Sequence, residues 1–331
     1  MRFAILVILL LSAFLLTIFQ GTADISFYDV FRILFGEIWS DNSPHLSNSA
    51  EWRIVWDFRL PRAFAAVFAG ASLSLSGLLL QSVFRNPLAG PFVLGISSGA
   101  SLGVALLLLA GWGFGSFGFL SAASLGAGAA VAFIIAFSKF VRGNAGLLVL
   151  GLMIGYFTDA IVSILMYSGN SEALRGFISW GFGSFGRLRW AEMPFFAGAV
   201  LTGLSVSFFC IKYLNAIALG DDGAQSLGIS VSKNRFAVLA SAAILAAAAT
   251  AFCGPIGFIG MATPHLARGF FNSDNMRILI PSSLLTGGLL ALITGLLSQG
   301  LWGLPPLPLN AVASLMGAPV VVWVLFSRST R

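Results

Sequence analysis

From residue 86 to residue 138 the chain carries no Asp, Glu, Lys or Arg, and the same is true from 278 to 327. A helix that crosses a bilayer needs about 20 mostly apolar residues at 1.5 Å rise each, so each run has room for two such helices. Runs this long do not fit the surface of a globule in water, where charged side chains are needed for solvation. Composition agrees. Charged residues are 9% of the chain and hydrophobic ones 58%, against about 25% charged in soluble domains. The expected fold class is therefore an all-α integral membrane protein, a single domain over 1–331.

Reading every charge-free stretch in this way gives about ten transmembrane helices. One lies in 3–23, one in 63–84, and two in 86–138, parted by Gly111–Gly118. One lies in 143–171, interrupted by Asp159, and one in 193–211. A full span and a shorter segment share 236–267, split at Gly254-Pro255, and two share 278–327, split at Gly303–Pro308. The first stretch follows Arg2 and has no clear small-x-small cleavage site, so we read it as a retained helix rather than a signal peptide. An even count puts both termini on one side. Lys and Arg favour cytoplasmic loops, and an N-in, C-in chain places eleven of the 18 basic residues inside: Arg2, Arg85, Lys139, Arg142, Lys212, Lys233, Arg235, Arg268, Arg277, Arg328 and Arg331.

Three loops carry the soluble content. Residues of about 24–57 form a polar, acidic outer loop, and Ser168–Glu192 form a second one rich in Gly, Trp and Phe. The third is cytoplasmic, about 212–235. In it Gly220 ends one short helix, Asp221 caps the next through its free N–H groups, and Gly228 ends that helix in turn. Leu219, Ala224 and Leu227 give this helix pair an apolar face. Such a knob suits a groove on a partner, although an interfacial connector would have the same pattern.

Several function classes are excluded or weakened. The basic residues form no stripe with interleaved aromatics, so nucleic acid is not a partner despite the pI near 9.9. Cys210 and Cys253 sit in separate apolar runs, and with only His45 and His265 there is no metal-ligand spacing. No phosphate-cradling G-x-x-x-x-G-K-[ST] occurs, since Lys139, Lys212 and Lys233 all lack the preceding glycine. ATP-driven transport would therefore need a separate ATPase, with ATP and Mg bound there and no cofactor on this chain. No nucleophile–base set or paired carboxylates mark an intramembrane enzyme. Asp159 keeps a secondary transporter driven by an ion gradient in view.

Ordered blocks from about 53 to 326 resemble one family. They are Arg59-Leu60-Pro61-Arg62 with Gly70-Ala71 and Ser76-Gly77; Arg85-Asn86-Pro87-Leu88-Ala89-Gly90-Pro91 with Leu94-Gly95 and Ser98-Gly99-Ala100; Leu219-Gly220-Asp221 through Ser226-Leu227-Gly228; Gly254-Pro255-Ile256-Gly257-Phe258-Ile259-Gly260 with Pro264-His265-Leu266-Ala267-Arg268; and Gly317-Ala318-Pro319. They look like the FecCD-type permease subunits of bacterial ABC importers for iron–siderophores, haem and cobalamin. The resemblance implies a dimer of permeases (a homodimer in the simplest case) in the cell inner membrane, two ATPase subunits below it and a substrate-binding protein above. Arg59 and Arg62 would face outward and receive the binding protein. Asn86 and Leu88 would form a cytoplasmic gate, with Asn144 and Ala145 in the neighbouring gate loop. Residues 215–229, with Leu219, Gly220, Asp221, Ala224, Ser226, Leu227 and Gly228, would dock on the ATPase. Iron–siderophore is the first cargo expected, then haem or cobalamin. Two departures weaken cobalamin: Gln299 stands where its permeases carry an outer arginine, and Pro306-Leu307-Pro308-Leu309-Asn310 replaces the common Glu-Leu-Pro-x-Gly.

Three single residues stand out. His265 is read as a structural hydrogen-bonding residue rather than a metal ligand. Trp180, with Phe182, is read as an interfacial anchor, with a place at the substrate mouth as the alternative. Asp159 would cost about 2.5–3.5 kcal/mol at mid-span on the insertion scale. It should therefore face a polar cavity or partner, or hydrogen-bond to Thr158 or Ser163.

Overall fold

The computed structural model describes residues 1–21, 23–39, 49–112, 118–137, 140, 143–300 and 305–329. The fold is all-helical among these residues. The helices are α1 (Arg2–Phe19), α2 (Phe27–Trp39), α3 (Ala50–Arg53), α4 (Leu60–Phe84), α5 (Ile96–Leu108), α6 (Gly118–Phe137), α7 (Gly143–Ser168) and α8 (Ser171–Gly181), followed by α9 (Met193–Phe209), α10 (Ile211–Ala216), α11 (Asp221–Ser226), α12 (Val231–Cys253), α13 (Ile259–Phe271), α14 (Met276–Ser298) and α15 (Leu309–Ser329). Each of the ten segments read from the sequence carries a helix. Among the described residues six helices are long and apolar enough to cross a membrane, and a seventh span results if α9 and the bent segment after it count as one. Helices α5 and α15 are apolar but shorter.

Helix α4 is the axis of the bundle. It packs against α14, α12 and α13, and 83% of its spanning window is buried, against 28% for α6 and for α7. Its sequence explains this. Small residues occur all round the helix, so neighbours approach closely where lipid supplies no hydrophobic drive for association. Gly77 lies against the carbonyl of Gly260, where any β-carbon would collide with the backbone. The buried hydroxyls of Ser74 and Ser76 donate to Ser283 O (2.8 Å) and Ala242 O (2.7 Å), tying α4 to α14 and α12. Two apolar clusters are stacked along it, one around Leu60–Leu73 and the other around Leu75–Phe84.

The structure extends the α4 span beyond the sequence reading. Helical backbone runs from Ala50 to Phe84, with a wider-wound stretch at Ile54–Arg59. Ser49 starts it by accepting from the Trp52 N–H at 3.1 Å. The outer loop of about 24–57 thus contains α2, α3 and the beginning of this span. Its charged residues, Asp29, Arg32, Glu51 and Asp57 among them, concealed that helix from a search for charge-free runs. The second outer loop likewise contains α8, capped by Asn170 Oδ1 on the Ala173 N–H (2.8 Å).

Candidate functional site

The carboxyl-terminal end of α4 closes on Arg85, which takes a left-handed conformation (φ 48°) and turns the chain into Asn86-Pro87-Leu88. Asn86 Oδ1 accepts the Leu88 N–H at 2.9 Å, fixing the turn from within. Helix α13 latches it from the side. His265, 6% exposed, is 2.8 Å through Nε2 from Pro87 O, in keeping with a structural role. Arg268 donates to Gln81 Oε1 at 2.8 Å, and Gln81 Nε2 donates to Met261 O at 3.1 Å. The sequence reading missed Gln81, which resembles any polar residue near a helix end until α13 is placed beside it. Helix α13 is set in this position by the break before it. Gly254 (φ 79°) ends α12, and a β-carbon there would lie 2.8 Å from Trp180 O. Pro255 follows, and the Gly257 N–H donates to Asn310 Oδ1 at 2.9 Å. The asparagine that departs from the family pattern therefore holds α15 to the break.

Beside this turn lies the segment 211–228. Helices α10 and α11 form the short pair expected, parted by Gly220 (φ 102°) and closed by Gly228 (φ 75°). The role expected of Asp221 as a cap is corrected. Helix α11 begins after Gly220 with no side-chain cap, and the Asp221 carboxylate instead bridges two arginines. Arg85 and Arg235 each donate to it at 2.7 Å. Each guanidinium brings a full positive charge as well as a donor, so two arginines attract the carboxylate more strongly than a backbone N–H does. Asp221 therefore ties the turn at Arg85–Leu88, the short helix and the start of α12 into one unit. The expected apolar face is also divided: Ala224 is fully buried, whereas Leu219 and Leu227 are 73% and 62% exposed. Ser226 Oγ donates to Gly223 O (2.9 Å) within the last turn of α11. A cleft of about 360 Å³ between turn and loop is lined by Gln81, Arg85, Pro87, Asn215 and Arg268.

The opposite end of the bundle differs from expectation. Arg59 does not face outward. It is 6% exposed, and its guanidinium donates to Ile18 O and Phe19 O (3.0 Å each) and Ala23 O (2.6 Å), closing the carboxyl end of α1. The last carbonyls of a helix lack partners within it, and Arg59 supplies them. Arg62 is half-buried, with Nε free of any hydrogen bond. Trp180 is corrected as well. At 2% exposure it belongs to the core, neither an interfacial anchor nor part of a mouth in this chain, while Phe182 is 49% exposed. Gln299 ends α14, 9% exposed. Asn144 and Ala145 begin α7, and their side chains lie outside the described residues. Asp159 is exposed on α7 and is not brought together with any of these groups. Among the described residues no group of three or more His, Cys, Asp or Glu is placed to hold a metal ion.

Comparison with known proteins covers nearly the whole chain. The model of the FecCD transport family matches residues 8–327. The hemin transport system permease protein HmuU of Yersinia pestis is 34% identical over 296 residues, 88% of this chain and 87% of that protein. The vitamin B12 import system permease protein BtuC of Vibrio cholerae is 34% identical over 306 residues, 89% of each. A solved structure described as an inward-facing conformation of a metal-chelate type ABC transporter superposes with TM-score 0.84 at 26% identity, covering 98% of both chains.

Proposed function

This chain belongs to the FecCD transport family, and from that premise we propose that it is the multi-pass permease subunit of an ATP-binding-cassette importer in the cell inner membrane. It moves a metal chelate, handed over by a binding protein, to the cytoplasm by alternating access. ATP and Mg are bound by a separate ATPase subunit, two copies of which serve a permease homodimer.

The observation that carries this reading is the clasp around Asp221. A subunit that hydrolyses no ATP itself must receive conformational work through a contact. Leu219 and Leu227 offer exposed apolar side chains on the short helical loop, and Asp221 in the same loop holds Arg85, the residue that starts the gate turn. A push on the loop by an ATPase is thereby delivered to Asn86 and Leu88. Arg62 remains the arginine suited to meeting the binding protein.

The cargo brings its own ligands. An iron–siderophore is the first reading. Haem or cobalamin is the second, favoured by the names of the hemin and vitamin B12 permeases to which the chain is similar. The test is uptake into proteoliposomes that hold the permease, its ATPase and its binding protein. Uptake of a ferric chelate that requires ATP supports the reading. Uptake that proceeds on an ion gradient without ATP or ATPase would make the chain a secondary transporter and overturn it. Binding measurements on the partner binding protein, with ferric siderophore, haem and cobalamin in parallel, distinguish the cargoes.

A further inference from the structure

Beyond Leu152 the exposed arc of α7 is divided lengthwise into two strips of different chemistry; up to that point Val149 and Leu152, 54% and 42% exposed, are apolar on the side of Tyr156 as well. Met153, Phe157 and Ile164 make one strip, 52%, 69% and 69% exposed. Met153 and Phe157 open on an apolar cavity of about 700 Å³ walled by α5 and α6, with Leu102, Leu106 and Phe133 in its lining. Hydrocarbon suits that strip. The other strip carries Tyr156, Asp159, Ser163 and Tyr167, spaced three and four apart so that they lie on one side of the helix. All four are exposed, Tyr156 at 67% and Tyr167 at 96%.

Asp159 stands two residues, about 3 Å at helical rise, from the midpoint of the apolar span Gly146–Ser168. No hydrogen bond or ion pair within the described residues reaches its carboxylate. The neighbouring hydroxyls are engaged elsewhere: Thr158 donates to Ile154 O and Gly155 O, and Ser163 to the backbone oxygen of Asp159, each at 2.8 Å. Nor does a packed neighbour offer a cation. Helices α5 and α6 and the turn at Pro91–Leu94 lie within the charge-free run 86–138, and α4 carries no charge between Arg62 and Arg85. A carboxyl group at this depth, exposed and unpaired, is costly against lipid tails. Ionisable residues in such positions face a bundle interior or a water-filled cavity.

We propose that the polar strip of α7 faces the water-filled path of the cargo, and that Asp159 makes this path select by charge, passing neutral and cationic metal chelates and rejecting anionic ones. The inference rests on the permease reading and narrows its substrate class. In a homodimer each copy places one carboxylate on the path. Fixed carboxylates on a narrow water-filled path with low-dielectric walls attract cations and repel anions, as acidic rings do in cation-selective pores. Tyr156, Ser163 and Tyr167 supply neutral hydroxyls to the same wall, which can contact a chelate's outer oxygens whatever its charge.

Two measurements test this. In the first, Asp159→Cys in the assembled complex is treated with a membrane-impermeant cationic thiol reagent. Cys210 and Cys253 are both buried, so the unaltered protein sets a low background. Labelling at position 159 in at least one nucleotide state is expected, and protection in every state would remove the strip from water and overturn the proposal. In the second, ATP-driven uptake is compared for ferric chelates of one scaffold, cationic, neutral and trianionic, chosen to bind the binding protein equally. Asp159→Asn should raise uptake of the trianionic chelate relative to the cationic one by about tenfold, equivalent to about 1.4 kcal/mol, and Asp159→Lys should invert the preference. An unchanged ratio with ATP-driven uptake intact would overturn the selection by charge while leaving the importer standing. Absence of ATP-driven uptake in the unaltered complex would instead overturn the importer reading, with the labelling result still deciding what surrounds Asp159.

Discussion

At the amino-terminal end of α4, Arg59 is buried and donates to three carbonyls at and beyond the end of α1. At the carboxyl-terminal end, Arg85 is 43% exposed along its side chain and shares the Asp221 carboxylate with Arg235. The partners differ in kind. Two of the three carbonyls belong to α1 itself and cannot leave without unfolding its end, whereas the carboxylate sits on a short helical loop. The first arrangement fixes α1 and α4 as one rigid piece. The second is part-solvated, so its ion pairs are individually weak. The same residue type thus serves as a structural clamp at one end and one arm of a part-solvated ion-pair bridge at the other.

The largest expected effect lies at the clamp. Arg59→Ala removes the donors from one buried and two part-buried carbonyls, and a buried one left unpaired costs about 1–3 kcal/mol. The purified permease should lose several degrees of thermal stability in detergent. A variant as stable as the parent would remove the distinction between the two ends. Arg62→Glu should leave that stability unchanged and weaken capture of the binding protein. This outcome separates the two arginines, which the sequence motif presents as equivalent, and unaltered, salt-independent affinity would contradict it. Asp221→Asn should change stability by no more than about 1 kcal/mol, as expected for exposed ion pairs, yet lower transport per ATP hydrolysed. Equal losses of stability and coupling would mean that the clasp is only a structural tie. Leu219→Ala should give the smallest change, a modestly weaker hold on the ATPase seen as faster loss of that subunit during purification.

The architecture was legible because each span satisfies one local condition, about 20 residues without charge. Runs such as 86–138 state it openly, and Gly254-Pro255 announces the break before α13. Helix α2 and the start of the α4 span do not meet that condition, since each carries charged residues. The site divides in the same way. Gly220 and Gly228 could be placed because a helix end needs a residue tolerant of positive φ. The partners of Asp221 could not, because Arg85 lies 136 positions away and an aspartate after a glycine reads equally well as a cap. The burial of Arg59 was hidden for a similar reason: its three carbonyls lie 36–41 residues upstream. Trp180 resembled an interfacial aromatic until α8 was seen folded back onto the core.

The account depends most on the claim that ATP-derived work enters through the loop that carries Asp221, with Leu227 as its apolar anchor. Leu227 is 62% exposed, so a charge placed there leaves this chain's own packing intact and disturbs only what covers it. The direct measurement is to purify the complex bearing Leu227→Asp and determine both the ATPase retained and the substrate-stimulated hydrolysis. The account predicts a permease that folds normally but loses its ATPase, or keeps it while hydrolysis no longer responds to loaded binding protein. A full complement of ATPase with unaltered stimulation would show that the loop is only a connector, and would contradict the proposed route of coupling.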